Sequence, residues 1–562
     1  QTKKADFKQI GARFRIDPVT ARIIRNRGIE GEAAIDRYLN GTLDDLYDPM
    51  LLKDMERAVS ILCEAVDTGK KIRIVGDYDI DGVCSTYILL QAFERLGSDV
   101  DFEIPDRIKD GYGINESIIE QAHADGVEVI LTCDNGISAF HQVELAKKYG
   151  MTVVITDHHE VPLDGEKEKI PPADAVIDPK QADCPYPFPE ICGAVVAYKL
   201  VQVLYARRGV PQMEWLGLLE CAAIATVGDV MKLQDENRIL VKYGLKKMAQ
   251  TKNIGLRRLA EKNNLDLGAI TAYHIGFVIG PCLNAGGRLK TAKEALALLR
   301  AQSEEEAERL AEELKELNDT RKDMTEQGTE AAKLQVESWY QKDKVLVVFL
   351  PECHESLAGI IAGRLREYYQ KPAIVLTRGE EAVKGSGRSI DEYHMFKKLT
   401  EVSDLLLKFG GHPLAAWLSL EEKNIDEFRR RLNENAGLTE EDFKAKVWID
   451  VPMPVGYVTE RLVRELSCLE PFGQGNEKPL FAEKSLRIRA SRVLGRNRNV
   501  VKMTLEETDG HAIEALYFGD GTAFEEERAG RREIDVVYYP DINEYNGRKT
   551  LQAVIRRYKF RG

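Results

Sequence analysis

Closely spaced cysteines are missing from this sequence: its nine are scattered through 562 residues, and no Cys-x-x-Cys occurs. That argues against a zinc ribbon and a disulfide framework, and leaves reduced thiols in a cytoplasmic protein as the plain expectation. Long apolar runs are missing too, none approaching the roughly 18 residues that cross a bilayer. The first ten residues are polar, carry no signal-peptide pattern and do not begin with Met, as a trimmed or engineered end would not. No membrane association is expected. Net positive charge is also lacking: the formal charge is −13, which alone argues against a nucleic-acid partner. The charge is unevenly spread, however. From Lys446 onward there are 20 basic and 18 acidic residues, so the −15 sits upstream. Within 486–502 lie Arg487, Arg489, Arg492, Arg496, Arg498 and Lys502, with no acid among them.

Length alone suggests three or four domains. Residues 1–70 read as helical and irregular, with no assignable chemistry. From Lys71 short apolar runs (72–75, 127–132, 151–156) alternate with amphipathic stretches (83–96, 139–149), the pattern of an α/β unit with a parallel sheet. The proline-rich stretch 171–189 reads as a surface loop, and 193–300 as largely helical. Residues 303–339 are charged, proline-free and helically spaced at Leu310, Leu314, Leu317 and Met324. One continuous helix there would reach roughly 50 Å; two helices broken near Gly328 is the alternative. A second α/β unit begins at 344–349. The last 115 or so residues read as a small β-barrel, with a hairpin turn at Asn546-Gly547.

Acidic residues follow the strands. Gly76-Asp77-Tyr78-Asp79-Ile80-Asp81-Gly82 follows the first, Asp134-Asn135-Gly136 the second, and Asp157-His158-His159 the third; Gly228-Asp229 follows the apolar stretch 218–227. In a parallel sheet the carboxyl ends share one edge, where ligands bind, so Asp77, Asp79, Asp81, Asp134, Asp157 and His158 can converge. Any single Asp there is more often a helix cap or turn former, and the two histidines could be an exposed pair at a helix start. Several carboxylates packed together are costly unless cations join them, and mixed carboxylate–imidazole donors suit Mn2+ or Mg2+.

These ordered segments resemble the motifs of the DHH phosphoesterase superfamily, and its RecJ group in particular. The likeness extends through Pro105-Asp106-Arg107, Gly111-Tyr112-Gly113, Asn284-Ala285-Gly286-Gly287-Arg288-Leu289, His354-Glu355-Ser356, Gly385-Ser386-Gly387-Arg388-Ser389, Phe409-Gly410-Gly411-His412-Pro413 and Pro471-Phe472-Gly473-Gln474-Gly475-Asn476. It covers roughly 70–560. One departure is Trp417, where the family usually continues with glycine after two alanines.

The resemblance implies an α/β fold class. A DHH catalytic domain (71–300) would hold the parallel sheet, followed by a long connector helix (301–340), a DHH-associated α/β domain (341–445) and an OB-fold barrel (446–562). It implies a 5′-to-3′ single-stranded-DNA exonuclease that releases mononucleotides by two-metal hydrolysis in DNA repair and recombination. Two Mn2+ or Mg2+ ions per site are implied. Asp79 and Asp134 would hold one, assisted by Asp77; Asp81, Asp134, His158 and Asp229 would hold the other. His159 would contact phosphate or handle a proton, with Asp157 orienting its neighbours. Arg107, Arg288, Ser386, Arg388, Gly411 and His412 would bind substrate, the glycine-rich turns admitting phosphate close to backbone N–H groups. The basic strip, with Tyr538, Tyr539 and Tyr545 as stacking surfaces, would track single-stranded DNA; a single-strand-binding protein and a helicase are the implied protein partners. Two other readings remain: a DHH phosphodiesterase of short oligonucleotides or cyclic dinucleotides, and a non-catalytic replication scaffold.

Overall fold

A computed structural model describes residues 4–107, 110–545 and 548–561. Ile72–Val75 (β1) is buried throughout, including Arg73, whose guanidinium is compensated by Asp101 and Asp125. It is flanked by Val100–Glu103 (β2) and Val129–Cys133 (β3), followed by Thr152–Thr156 (β4) and Ala175–Ile177 (β5). The order is β2-β1-β3-β4-β5 and every pairing is parallel. All five carboxyl ends therefore line one edge. Strand β5 lies within the proline-rich stretch read as a surface loop, and that expectation is corrected. Its three residues are fully buried, but three residues are too few to show a periodicity. Helices Ile80–Arg95 (α1), Gly193–Arg208 (α2) and Leu219–Gly228 (α3) pack beside this sheet, each apolar on almost every side, as helices buried in a core must be.

Gly280–Leu289 (α4) leads through a short helix into Glu304–Gln335 (α5), a single 32-residue helix about 48 Å long. It passes unbroken through Gly328. There a Cβ would lie 2.6 Å from Ile361 Cδ1, so the glycine admits Ala358–Tyr369 (α6) rather than ending the helix. The first half of α5 buries Leu310, Ala311 and Leu314 in the first core, and its end buries Ala332 in the second.

The second unit holds Leu346–Phe349 (β6), Ala373–Arg378 (β7), Val383–Arg388 (β8), Leu406–Gly411 (β9) and Ala415–Leu420 (β10) in the order β9-β10-β8-β7-β6. Only β6 and β7 are parallel. The glycine-rich segments expected as turns are strands: Gly385 and Gly387 sit in β8, and Gly410-Gly411 ends β9. In β8 the missing side chains leave room for Leu376, Leu418 and Met395 to pack against the ladder.

At the C-terminus Phe481–Leu494 (β11), Val500–Glu506 (β12), Ala512–Phe518 (β13), Glu533–Tyr545 (β14) and Arg548–Phe560 (β15) run in the order β11-β12-β13-β15-β14, and β14 pairs back onto β11 to close a barrel. The Asn546-Gly547 turn lies outside the described residues. Helices Pro18–Asn26 and Glu32–Asn40 contribute Ile23, Ile24, Ile35 and Tyr38 to the barrel's core. Buried Arg238 of the first unit donates to the carbonyls of Tyr38, Cys468 and Leu469. The chain's beginning and end are thus tied to each other and to the first domain. No helix among the described residues is long and apolar enough to cross a membrane.

Candidate metal centre

The acidic loop after β1 turns directly into α1. Asp79 is the N-cap: its Oδ1 accepts the N–H of Asp81 at 2.9 Å and of Gly82 at 3.1 Å. The cap explanation and the ligand explanation are therefore compatible, because one oxygen satisfies the helix while the other stays free. Asp81, the second residue of the helix, accepts the N–H groups of Gly193 and Ala194, both at 2.7 Å. The N-terminus of α2 thereby fixes the orientation of this carboxylate. Asp134 follows β3 in a left-handed conformation, φ 61°, which turns its side chain back into the cleft. A Cβ on Gly193 would meet Asp134 Cβ at 2.7 Å, so α2 approaches this residue by backbone alone. Asp229 arrives differently from the others: it caps the C-terminal end of α3.

Two sets of potential donors result. Oxygens of Asp77, Asp79 and Asp134 lie within 4.8 Å of one another, as do ligand atoms of Asp81, His158 and Asp229. His158 Nε2 is 3.1 Å from Asp134 Oδ1, 3.4 Å from Asp81 Oδ2 and 3.8 Å from Asp229 Oδ2. Asp134 Oδ1 and both ring nitrogens of His158 are nonetheless buried without a well-formed hydrogen bond among the described residues. Burial holds His158 below the usual imidazole range, against the pull of Asp81. Burial also pushes the carboxyls of Asp77, Asp134 and Asp229 well up, and the neighbouring aspartates add to it. A neutral imidazole and crowded carboxylates that converge on one another, held from outside by backbone N–H groups, form a donor set that fits divalent cations.

Asp157 is occupied otherwise. Its Oδ2 accepts the Ile137 N–H at 2.9 Å, and its Oδ1 accepts the His158 N–H at 2.8 Å and lies 2.7 Å from His159 Nδ1. Burial opposes the His159 imidazolium, but the bond to Asp157 outweighs it and raises His159 to about 9. Tyr112 completes this corner, donating to the Asp134 carbonyl at 2.7 Å with its hydroxyl 3.0 Å from His159 Nδ1. Tyr112 was not singled out from the sequence as a site residue, its only signal being a short Gly-Tyr-Gly. Asp178, which follows β5, was missed with that strand. It is fully buried, its Oδ2 has no hydrogen-bond partner among the described residues, and burial followed by Asp157 pushes it up to about 7.

Opposite the acids stands a group of cations. Arg288, in the last turn of α4, donates to the Ser356 carbonyl at 3.0 Å, bridging the two α/β units. Burial lowers it to about 10, with Arg107 and Arg388 among the charges that add to this. Arg388 donates to Ser386 Oγ at 3.2 Å and is likewise lowered, by burial and then by Arg366 and Arg107. Arg107 lies over the ring of Tyr78, 4.6 Å from its centroid. Arginines from both α/β units that oppose one another's charge are chemically suited to an anion between them. His412 ends the same side; Glu160 is held low first by Lys180, and His412 contributes. Gly411 has φ 145°, a conformation that L side chains rarely adopt, and a Cβ there would clash with Ala415 and Ala416. A groove of about 1490 Å³ starts beside Asp229, lined by Gly228 and Val230, passes the stacked Tyr273 and Phe277, and reaches Tyr539 and Arg556 of the barrel.

The C-terminal expectations need correction. Tyr538 is fully buried and donates to the Met453 carbonyl at 2.9 Å, because strand alternation turns it inward. It is no stacking surface. Tyr539 carries Lys478 on its ring at 3.7 Å, and the Tyr545 side chain lies outside the described residues. In the basic strip, Arg489 is paired with Glu506 and Lys502 with Glu514, the barrel's cross-strand neighbours supplying acids that the strip lacks. Arg487, Arg492, Arg496 and Arg498 form no ion pair among the described residues.

Comparison with known proteins matches three family models in order: the DHH family N-terminal domain at residues 71–226, the DHHA1 domain at 342–437 and the RecJ OB domain at 449–557. The single-stranded-DNA-specific exonuclease RecJ of Bacillus subtilis is 36% identical over 98% of this chain and 69% of its own. That of Escherichia coli is 34% identical over 96% and 95%. The crystal structure of RecJ in complex with Mn2+ from Thermus thermophilus superposes with a TM-score of 0.84 at 28% identity, covering 98% of this chain and 77% of the other. A Mg2+ complex from the same organism gives 0.77.

Proposed function

The chain belongs to the RecJ family of single-stranded-DNA-specific exonucleases, and from that premise we propose how its residues cut a strand from the 5′ end. It is a metal-dependent nuclease acting on single-stranded DNA. Asp77, Asp79 and Asp134 hold one ion; Asp81, His158 and Asp229 hold the other, with Asp134 shared. Two Mn2+ or Mg2+ ions in such a site supply a water activated for attack and neutralise charge on the leaving oxygen. His159, oriented by Asp157, holds a proton at Nε2 toward the scissile phosphate. Arg107, Arg288, Ser386 and Arg388 grip the terminal phosphate by charge-assisted hydrogen bonds, while Gly411 and His412 border it. A phosphate pocket at a fixed distance from the ions selects the bond that is cut, so single nucleotides leave. The groove beside Asp229 and the basic β11–β12 hairpin guide the rest of the strand, and a strand threaded between domains excludes duplex. We assign catalysis to 71–300, the span to 301–340, phosphate grip to 341–445 and strand binding to 446–562. A role in repair and recombination, with a helicase and a single-strand-binding protein supplying strands, follows from the same reading.

One observation carries this proposal: two sets of metal-donor side chains face an arginine cluster contributed by both α/β units. The test uses strands labelled at either end, with and without a 5′-phosphate, in Mn2+. The 5′ label should be released first as a mononucleotide. Arg388→Ala should lose the preference for 5′-phosphate by roughly 10- to 150-fold, a charged hydrogen bond contributing about 1.5–3 kcal/mol. Release from the 3′ end, or cutting of circular single strands, would refute it.

A further inference from the structure

Trp417 stands in the middle of β10, in register with Ser386 on one side and Gly410 on the other. Cross-strand partners share a face of the sheet, so the indole and the Ser386 hydroxyl project the same way, one strand spacing of about 4.8 Å apart at the backbone. Its sequence neighbours Ala416 and Leu418 point into the core, whereas Trp417 is 55% exposed. The indole lies flat across Gly410: a Cβ there would meet Cζ2 at 2.8 Å and Nε1 at 2.9 Å. One face of the ring is thus backed by bare backbone and the other is open.

The surroundings identify the open face. Helix α6 packs on this side of the sheet over β7 and β8, where a Cβ on Gly359 would meet the Arg388 guanidinium at 2.8 Å and Ser386 Oγ at 2.9 Å. Beyond β8 the face carries Gly410 and exposed Trp417, with Ser386 and Arg388 at the border beneath α6. Arg388 is within electrostatic reach of Arg107 across the cleft, and His412 of Glu160, just past the two histidines. A solitary exposed aromatic is ordinary on a surface; this one lies beside a phosphate grip, in a cleft that admits a single strand.

We propose that Trp417 is a stacking subsite for the nucleobase at the 5′ end of the strand, one sugar removed from the phosphate held by Ser386 and Arg388. The proposal rests on the phosphate pocket assigned above. The subsite accepts any base, because every base presents a π face. It distinguishes a strand end that carries its base from one that has lost it.

The test measures binding of four oligonucleotides to an Asp134→Ala background that stops cleavage: with or without a 5′-phosphate, and with a terminal base or an abasic terminal sugar. With Trp417 present, removing the base should weaken binding roughly 5- to 150-fold, the equivalent of about 1–3 kcal/mol. With Trp417→Ala added, the base and abasic strands should bind alike, Trp417→Phe should restore most of the contrast, and the phosphate contrast should persist. A base-to-abasic ratio unchanged by Trp417→Ala overturns the subsite. Absence of a phosphate contrast with Trp417 present instead removes the phosphate pocket, whatever the base ratio shows. Melting temperatures of the variants, expected to match their parent, separate both outcomes from loss of fold.

Discussion

Adding a single methyl at Gly193 should disable the site while leaving the fold standing. The new carbon would sit 2.7 Å from Asp134 Cβ and 2.9 Å from both its Cα and Oδ1. Carbon atoms rest about 3.5–4.0 Å apart, so roughly 1 Å of relief is needed. Helix α2 cannot easily supply it, being buried along most of its length and held by the Lys199–Glu236 pair. The Asp134 turn must give instead, carrying away the carboxylate that groups with Asp77 and Asp79 and lies 3.1 Å from His158 Nε2. A misplacement of about 1 Å at a reacting centre costs on the order of 100-fold in rate. Stability should change less: overpacking costs about 1–3 kcal/mol, offset by roughly 0.5–1 kcal/mol from replacing a helical glycine. Gly193→Ala should therefore melt within a few degrees of wild type, bind single strands normally, and cut about 100-fold more slowly while needing more Mn2+. Wild-type turnover at wild-type Mn2+ concentrations would refute the argument that α2 and Asp134 are packed to tolerance.

Asp134→Ala should abolish cleavage yet leave strand binding nearly intact, since binding rests on arginines and the barrel; measurable Mn2+-dependent cutting would exclude a shared ligand at this position. Replacing Arg487, Arg492, Arg496 and Arg498 together by Ala should flatten the salt dependence of binding by up to about 3 in the log–log slope, at roughly 0.7 per phosphate contact on single strands. These substitutions are a better probe than deleting the barrel, because deletion would also expose Ile23, Ile24 and Ile35 of the N-terminal helices. Lys199→Met should destabilise the first domain by about 3–5 kcal/mol by leaving Glu236 buried and unpaired, lowering its melting temperature by roughly 6–20 °C. A double variant with Glu236→Leu should recover part of that loss, and calorimetry that finds no recovery would sink the pairing argument.

The acidic motifs could be read without coordinates because they rest on local rules. Asp residues directly after apolar strand runs must emerge at one edge of a parallel sheet, whatever the rest of the chain does. That placed Asp77, Asp79, Asp81, Asp134 and His158 near one another, and the length and composition of the connector favoured one helix. Other features depend on partners distant in the chain. Asp229 comes from a helix end, and its approach is set by how α3 packs beside α1. The three-residue strand β5, and Asp178 with it, exists only because β4 offers an edge to pair with. Tyr538 and Tyr539 differ in fate through strand register, which decides the face each presents, and the acids that neutralise Arg489 and Lys502 lie on the neighbouring strands β12 and β13. The N-terminal helices looked featureless because their apolar residues match a surface, the barrel core, made more than 400 residues later in the chain. Sequence alone placed the acidic and histidine donors at one sheet edge; tertiary packing decided which side chains hold them in place, since side-chain contacts across the chain leave no periodic trace within it.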